Sequence, residues 1–196
     1  MSDLYEEALR RFSELLEEAK KTELPEPTAM TLATATPEGR PSVRTVLLKH
    51  HDARGFVFYT NLNSRKARQL RDNPHAALCF YWQPLARQVL IEGTAELVDS
   101  EEADRYWATR PRDSQIGAWA SLQSEPLESR AVLERRVEET RARFRDRNVP
   151  RPPQWGGYRV VPRRIEFWAA GWHRLHERIC YEQTGSGRWH RRLLYP

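Results

Sequence analysis

The segment Arg174-Leu175-His176-Glu177-Arg178 alternates basic side chains with other types. In an extended strand every second side chain points to the same face, so Arg174, His176 and Arg178 would share one face. Two guanidinium groups flanking an imidazole form a strong anion site, and the imidazole can change its charge near neutral pH. A cationic face on an exposed edge strand, which hinders aggregation, explains the pattern equally well.

A second basic pattern lies at the two ends of the apolar segment Arg44-Thr45-Val46-Leu47-Leu48-Lys49. Strand alternation places Arg44 and Lys49 on opposite faces of the sheet. A strand this apolar should be buried, and a buried cation needs a partner. Each cation could therefore hold an anion, unless both side chains extend past the strand ends into water.

Arg65 and Lys66 follow the polar loop 59–64, which contains Tyr59 and Thr60. The pair falls at a predicted helix N-terminus, where free backbone N–H groups favour a bound anion. Two cations and several hydroxyl groups at this position indicate a phosphate site. A solvated first helical turn is the alternative.

Tyr106, Arg110 and Ser114 are spaced by four residues across Pro111. On a continuing helical path they would face the same way and present a phenol, a guanidinium and a hydroxyl group. Such a set could clamp a phosphate, since arginine binds it through two parallel hydrogen bonds. Ordinary surface side chains would show the same spacing, so both interpretations stay open.

Gln88 on the polar side of its predicted strand, the loop pair Gln123-Ser124, and Trp168 at a strand end are weaker candidates. The pair His50-His51 is predicted to be a solvated loop. No Gly-rich phosphate loop, Cys-x-x-Cys pair or His-x-x-x-His pair occurs in the sequence. We therefore expect no metal site.

The elements that must position these residues follow from apolar periodicity and turn signals. Helical spacing predicts helices over 3–24, 65–73, 100–109, 113–120 and 127–147. Alternation and β-forming residues predict strands over 29–36, 42–49, 56–60, 75–82, 87–98, 157–161, 164–169, 174–182 and 188–193. Strands and helices do not alternate as in parallel sheets. This order predicts an α+β protein whose antiparallel sheet closes into a small barrel with helices outside it.

Composition sets the remaining expectations. The two cysteines, Cys79 and Cys180, lie in apolar strand-like runs and are predicted to be buried free thiols. The first residues lack a secretory signal, and no stretch approaches the roughly 20 apolar residues of a membrane helix. We therefore expect a cytoplasmic protein that makes no membrane contact.

The net charge of +5 is concentrated in residues 151–196, which hold nine Arg and three Glu. The other residues then carry a net charge of about −1. Arginine interleaved with Trp and Tyr suits planar recognition of phosphate or carboxylate groups. It also suits nucleic acid, so that possibility stays open from the residues alone.

Taken together, these motifs resemble the pyridoxamine 5′-phosphate oxidase family of FMN-dependent enzymes. The resemblance runs from about Pro27 to the C-terminus, in matching order and spacing. It is carried by the segments Arg44–Lys49, Phe58–Asn61, Ser64–Lys66, Arg110–Trp119, Gln123-Ser124, Trp155–Gly157, Ile165–Trp168 and Arg174–Arg178.

The resemblance implies an antiparallel split β-barrel of the FMN-binding type with flanking helices. Residues 1–24 would form an N-terminal helix and residues 25–196 a single barrel domain, with a helical insertion at about 100–147. A homodimer would hold FMN at the subunit interface.

Residue by residue, the resemblance also implies a site. The cofactor would contact Arg44, Thr45, Val46, Leu47, Tyr59, Thr60, Arg65, Lys66, Gln88, Gln123, Ser124, Trp168 and Arg178. The phosphorylated substrate would contact Lys49, Tyr106, Arg110, Ser114, Arg174 and His176. Arg174 and His176 would be the catalytic pair at the reacting carbon.

The implied reaction is oxidation of pyridoxine 5′-phosphate or pyridoxamine 5′-phosphate to pyridoxal 5′-phosphate. Dioxygen would be the acceptor, with hydrogen peroxide as a product and ammonia released from the amine. A related FMN-dependent oxidase of the phenazine-pathway type and a non-catalytic flavin- or pyridoxal-phosphate-binding protein are the alternatives. A nucleic-acid-binding barrel is a third, but we expect no nucleic-acid partner because the cations fall at family positions.

Overall fold

The computed structural model describes residues 3–196. Five helices lie in this part of the chain: α1 Asp3–Lys20, α2 Arg65–Asp72, α3 Ser100–Thr109, α4 Arg112–Ala120 and α5 Arg130–Arg143. Nine strands accompany them: β1 Ala29–Ala35, β2 Pro41–Leu47, β3 His50–Asp52, β4 Gly55–Asn61, β5 His75–Trp82, β6 Arg87–Leu97, β7 Trp155–Ala169, β8 Glu177–Gln183 and β9 Trp189–Leu193. Short 3-10 turns span Gln83–Leu85 and Trp172–Arg174.

All nine strands belong to one antiparallel sheet, which confirms the predicted α+β class. The strand order is β2-β1-β5-β6-β7-β4-β3, and β8 pairs with β7 and β9. Along one edge, β7 pairs first with β4 and then with β8, while β6 lies along its other edge. The sheet therefore divides at the middle of β7.

Two strands were predicted over 157–161 and 164–169, and this prediction is wrong because the structure has the single strand β7 there. The chain continues as one strand, and the pairing register with β6 shifts between Glu92 and Gly93. A Cβ atom at Gly93 would lie 2.0 Å from the carbonyl oxygen of Val161, so only glycine allows this approach. Arg163 is the extra residue of this bulge, and the neighbouring Pro162, which has no N–H to donate to the ladder, lies opposite Gly93.

The predicted strand over 174–182 begins only at Glu177, so the first half of that prediction is wrong. The preceding residues form a tight turn in which His173 and Arg174 have φ of 53° and 66°. A Cβ atom at Gly171 would lie 1.9 Å from the carbonyl oxygen of Leu175, which shows how closely the turn closes. Arg174, His176 and Arg178 therefore do not alternate along a strand.

His50 and His51 lie in β3 rather than in a loop, which corrects the prediction for this pair. The ring of His51 packs 5.0 Å from that of Phe12, and its Nε2 atom lies 2.9 Å from Ser13 Oγ.

Two other predicted ranges change at their ends. Helix α5 is shorter than the predicted 127–147, since the Ser129 side chain caps its N-terminus. Helix α1 ends at Lys20, and residues 1 and 2 of the predicted N-terminal helix lie outside the described residues.

Two hydrophobic clusters hold the fold together. In the larger one, α1 packs against the inside of the sheet through Phe12, which meets Phe56, Phe80 and Trp82 edge-on or tilted. The smaller cluster joins the helices α3 to α5 to the start of β7 through side chains that include Trp107, Ile116, Phe144, Val149 and Trp155. It fixes the helical segment beside the sheet.

Both cysteines are free; Cys180 is buried, whereas Cys79 is only partly buried. Across residues 3–196, no helix combines the length and the apolar character that crossing a bilayer requires.

Candidate functional site

A cavity of about 960 Å³ opens between β2, β4, the start of α2 and the junction of α3 with α4. Fourteen of the nineteen site residues predicted from the sequence line it: Arg44, Thr45, Val46, Leu47, Lys49, Tyr59, Thr60, Arg65, Lys66, Tyr106, Arg110, Ser114, Gln123 and Ser124. Segments that are up to 80 positions apart in the chain thus meet at one site. The remaining five residues lie elsewhere.

One end of the cavity is built on the N-terminus of α2, where Ser64 caps the helix by accepting from the Ala67 N–H. The buried Lys66 Nζ donates to Thr60 Oγ1 and Gln123 Oε1, both at 3.1 Å, and to Ser64 Oγ at 3.4 Å. All three acceptors are neutral. Burial, with a smaller contribution from the nearby Arg44 charge, lowers the pKa of Lys66 to about 8.

Arg44 reaches the same end of the cavity from β2. Its Nη1 donates to the Leu32 carbonyl oxygen at 3.1 Å and to Thr34 Oγ1 at 2.7 Å, which fixes the side chain across β1. Burial lowers the pKa of Arg44, and the charge of Arg65 acts in the same direction. Arg44, Arg65 and Lys66 thus bring three positive charges to this end of the cavity. Because these charges repel one another, this end favours a bound anion.

The other end of the cavity is formed where α3 gives way to α4. The predicted break between two helices is confirmed: α3 ends at Thr109 and Arg110 is extended, with φ −73° and ψ 141°, so the three residues do not share one helical path. Tyr106, Arg110 and Ser114 nevertheless converge on the cavity. Arg110 Nη1 is buried and, among residues 3–196, has no hydrogen-bond partner. A buried donor left without a partner is costly, so this atom fits an anionic ligand.

Aromatic rings support both ends of the cavity. Tyr59 stacks on Tyr106 with ring centroids 4.1 Å apart and on Trp155 at 5.1 Å. Burial raises the pKa of Tyr59 to about 12, so its phenol stays protonated at neutral pH. A Cβ atom at Gly157 would lie 2.8 Å from Tyr59 Cε1, and the absence of a side chain there leaves room for the ring.

The five predicted residues outside the cavity, Gln88, Trp168, Arg174, His176 and Arg178, form a second cluster. Gln88, Trp168 and Arg178 lie side by side across β6, β7 and β8, because Trp168 is paired with both of the others. The His176 ring lies 4.6 Å from that of Trp168, and its Nδ1 accepts from the Gly171 N–H at 3.2 Å. Arg174 ends the 3-10 turn Trp172–Arg174, two residues before His176 in the chain.

Sequence reasoning missed Glu166, which holds the second cluster in place. The residue is 1% exposed, and its carboxylate accepts from Arg178 Nε at 2.7 Å and from Arg164 Nη2 at 2.5 Å. The hydrogen bond to Glu166 raises the pKa of Arg178. An acidic residue inside the apolar run Ile165–Trp168 was the signal available in the sequence, since a buried carboxylate needs cationic partners.

A buried ion triad, also unpredicted, fixes α3 to the sheet. Arg159 on β7 is 3% exposed, and its guanidinium donates to Asp52 at 3.0 Å and to both oxygens of Glu102 at 2.7 and 2.8 Å. Arg54, which is more exposed, also contacts both carboxylates, Asp52 at 2.7 Å and Glu102 at 3.6 Å. Glu102 lies in the first turn of α3, one turn before Tyr106. The triad therefore sets the position of the helix that carries one end of the cavity.

A curled, divided antiparallel barrel with a cation-lined cavity defines the class of FMN-binding split-barrel proteins. A solved member of this class, a pyridoxamine 5′-phosphate oxidase-related FMN-binding protein from Nostoc punctiforme, matches with a TM-score of 0.75 at 18% identity over 95% of this chain and 96% of that chain. This match shows the fold. PhzG from Burkholderia lata, solved with tetrahydrophenazine-1-carboxylic acid, matches with a TM-score of 0.91 at 34% identity over 100% of this chain and 98% of that chain.

Residues 16–144 match the family model described as pyridoxamine 5′-phosphate oxidase. Residues 155–196 match the model of the pyridoxine 5′-phosphate oxidase C-terminal dimerisation region. The chain belongs to the pyridoxamine 5′-phosphate oxidase family, and the expectation of an oxidoreductase of this family is confirmed.

Two curated relatives, both named pyridoxine/pyridoxamine 5′-phosphate oxidase, illustrate how close the match is. The protein from Rubrobacter xylanophilus is 60% identical over 96% of this chain and 86% of its own length. The protein from Alkalilimnicola ehrlichii is 58% identical over 98% of this chain and 99% of its own length.

Proposed function

We propose that this chain is an FMN-dependent oxidase that converts pyridoxine 5′-phosphate and pyridoxamine 5′-phosphate to pyridoxal 5′-phosphate. Dioxygen is the acceptor, hydrogen peroxide is a product, and the amine also releases ammonia. The observation that carries the proposal is the pair of anion-binding ends in one cavity, centred on Lys66 and Arg110. A phosphorylated cofactor and a phosphorylated substrate together require two such ends.

The α2 end suits the cofactor. Its cations, Arg44, Arg65 and Lys66, hold the phosphate of FMN with help from the Gln123 and Ser124 side chains. Tyr59, Thr60 and the strand segment Thr45-Val46-Leu47 line the space beside the flavin. When bound, FMN supplies the hydride acceptor for the substrate and the route by which electrons reach dioxygen.

The α3–α4 end suits the substrate. Arg110 binds the substrate phosphate in the plane of its guanidinium group, and Lys49 adds charge. Tyr106 and Ser114 donate from neutral hydroxyl groups, and the pKa of Tyr106 is raised by burial, so its proton is retained. Anchoring the phosphate sets where the reacting carbon lies relative to the flavin. This positioning is the main contribution of these side chains to the reaction.

The second cluster completes the site from a partner subunit. It does not line the cavity of its own chain, and its β7 and β8 residues fall in the segment that matches a dimerisation region. In the proposed homodimer, Gln88, Trp168 and Arg178 contact FMN of the other subunit. Arg174 orients the substrate, and His176 assists at its polar edge; the left-handed backbone of Arg174 is the kind of local strain that clusters at functional sites.

A second candidate function has one specific observation in its favour. PhzG, solved with tetrahydrophenazine-1-carboxylic acid, covers the whole chain at 34% identity. An enzyme of that type would keep the flavin end and take a larger substrate. The curated relatives at 53–60% identity favour the B6 vitamer, as does the phosphate-binding character of the α3–α4 end. A flavin or pyridoxal phosphate carrier without turnover is the third possibility.

An aerobic assay of the FMN-loaded protein tests the proposal. Pyridoxine 5′-phosphate, pyridoxamine 5′-phosphate, unphosphorylated pyridoxine and a tetrahydrophenazine carboxylate are offered separately, and pyridoxal 5′-phosphate and hydrogen peroxide are followed together. Equal formation of both products from the two phosphorylated vitamers supports the proposal. Peroxide from the tetrahydrophenazine alone would favour the phenazine-type reaction, and bound FMN without any turnover would favour a carrier.

A further inference from the structure

Trp155, the first residue of β7, borders the cavity but has no role in the function described so far. The residue is 5% exposed, and its indole ring lies between two groups that the proposed function uses. The Arg110 guanidinium carbon lies 4.8 Å from the Trp155 ring centroid, and the Tyr59 ring is nearly parallel to the indole, at 3°. Trp155 thus touches both a proposed phosphate ligand and a proposed flavin contact.

Two indole rings hold the half-buried guanidinium group of Arg110. Its guanidinium also lies 5.1 Å from the Trp107 ring centroid, and the two indoles meet edge to face at 4.9 Å. Burial lowers the pKa of Arg110, and the nearby Tyr106 only partly opposes this shift. Aromatic faces stabilise a cation without using its N–H groups, because the attraction comes from the ring quadrupole.

Contact with indole faces leaves the N–H groups of Arg110 free to bind a ligand. A carboxylate partner would occupy the guanidinium edge that a phosphate needs, whereas an indole face leaves this edge free. Arg110 Nη1 is the buried atom that lacks a partner within residues 3–196. The ring of Trp155 therefore allows Arg110 to be fixed in place and still have its donors available.

We propose that Trp155 is a positioning residue for phosphate recognition: its indole face holds the Arg110 guanidinium in the orientation that binds the substrate phosphate. The inference rests on the proposed function of the cavity. Trp155 acts through Arg110, so its contribution depends on the presence of that arginine. The neighbouring Trp107 differs, because its Nε1 donates to the Val149 carbonyl oxygen at 2.8 Å and this bond ties it to the helical segment.

The test is a double-mutant cycle in the FMN-loaded enzyme. Trp155→Leu removes the aromatic face, Trp155→Phe keeps a smaller one, and Arg110→Ala removes the cation. Trp119→Leu is the matched control, because Trp119 belongs to the same hydrophobic cluster and carries its own cation, Arg143, at 4.9 Å, but does not line the cavity. Steady-state kinetics with pyridoxine 5′-phosphate and the FMN dissociation constant are measured for each variant.

We expect Trp155→Leu to lower kcat/KM by about tenfold, the ratio that corresponds to ~1.4 kcal/mol, mainly through KM. Trp155→Phe, which keeps an aromatic face for both Arg110 and Tyr59, should recover most of this loss and keep the FMN affinity within about threefold, and Trp119→Leu should change kcat/KM less than about twofold. In the Arg110→Ala background, the effect of Trp155→Leu should fall below about threefold. A larger effect in that background, or equal losses in Trp155→Leu and Trp119→Leu, would overturn the inference.

A binding measurement separates this inference from the proposed function. Inorganic phosphate and a simple alkyl phosphate ester, which cannot be oxidised, are titrated by calorimetry into the FMN-loaded protein, whose α2 end is then occupied. If the wild-type enzyme oxidises neither vitamer, the proposed function fails, but Trp155→Leu should still weaken binding of these probes relative to Trp119→Leu. Equal binding by the two variants would overturn the positioning role whatever the assay shows.

Discussion

The affinity for FMN should fall as the pH rises through about 8, because Lys66 then loses its charge. Lys66 is buried, and its three hydrogen bonds go to neutral oxygens, so burial lowers its pKa to about 8. Arg44, the charged neighbour that contributes to this shift, acts in the same direction. Below the pKa the ammonium group is present and can bind a phosphate; above it the neutral amine cannot.

The size of the effect follows from the fraction of Lys66 that is charged. At pH 9, about one unit above the pKa, roughly one tenth of the free protein carries the ammonium form. If only this form binds FMN, the apparent dissociation constant rises about tenfold between pH 7 and pH 9. Binding above pH 8 should also take up close to one proton, since the bound phosphate raises the pKa of Lys66 again.

The lowered pKa of Lys66 also determines whether the folded apoprotein becomes more or less stable as the pH rises. An unfolded lysine with the ordinary pKa of 10.5 binds more protons than Lys66 does between about pH 8 and that value. The contribution of Lys66 therefore makes the folded apoprotein more stable as the pH rises through this window. Affinity for FMN and stability of the apoprotein should thus change in opposite directions.

Quenching of flavin fluorescence during titration of the apoprotein at pH 7, 8 and 9 measures the affinity. The matched variant is Lys66→Arg, whose guanidinium stays charged throughout this range and whose profile should be flat. Calorimetry in two buffers with different ionisation enthalpies counts the protons taken up. A flat wild-type profile, or an equal slope in Lys66→Arg, would refute the reasoning.

Three further results are expected. Arg174→Ala should lower turnover much more than it lowers FMN content, as measured by absorbance of the purified protein; equal loss of both would contradict its assignment to the substrate. Arg159→Met should destabilise the fold by about 1.5–3 kcal/mol in denaturant titration, because Asp52 and Glu102 lose their buried partner and keep only Arg54; a change below about 1 kcal/mol would count against the triad. Gly157→Ala should raise the FMN dissociation constant severalfold by displacing Tyr59, whereas Gly185→Ala, which meets no atom within 4 Å, should leave it unchanged; equal effects would exclude this cause.

Much of the fold could be predicted because local patterns agree with the final structure. The apolar run around Val46 and the alternation in β6 are strands, and the cap at Ser64 starts a helix at the expected residue. The errors arise where tertiary contacts override such patterns. Alternating basic residues suggested a strand through Arg174, but the close approach of Gly171 to the Leu175 carbonyl closes a turn there.

The site could be predicted as a set of residue types but not as an arrangement. Cations spaced for phosphate binding were visible, and Lys66 and Arg110 do lie at the two ends of one cavity. Spacing along the chain could not show that Arg110 rests on Trp155, since the two are 45 positions apart and meet only through the smaller core. Nor could it show that Glu166 organises the second cluster, because its partner Arg178 reaches it only through the pairing of β7 with β8.

Mixed dimers provide the most direct test of the central claim, which is that the cavity of one subunit and the second cluster of the other form one oxidase site. Arg110→Ala and Arg174→Ala chains with different tags are co-expressed, heterodimers are purified, and turnover of pyridoxine 5′-phosphate is measured. If the site is shared, each heterodimer contains one intact site and one doubly altered site, so it should recover about half the wild-type activity while each homodimeric variant stays nearly inactive. Heterodimers as inactive as the two homodimeric variants would contradict the account.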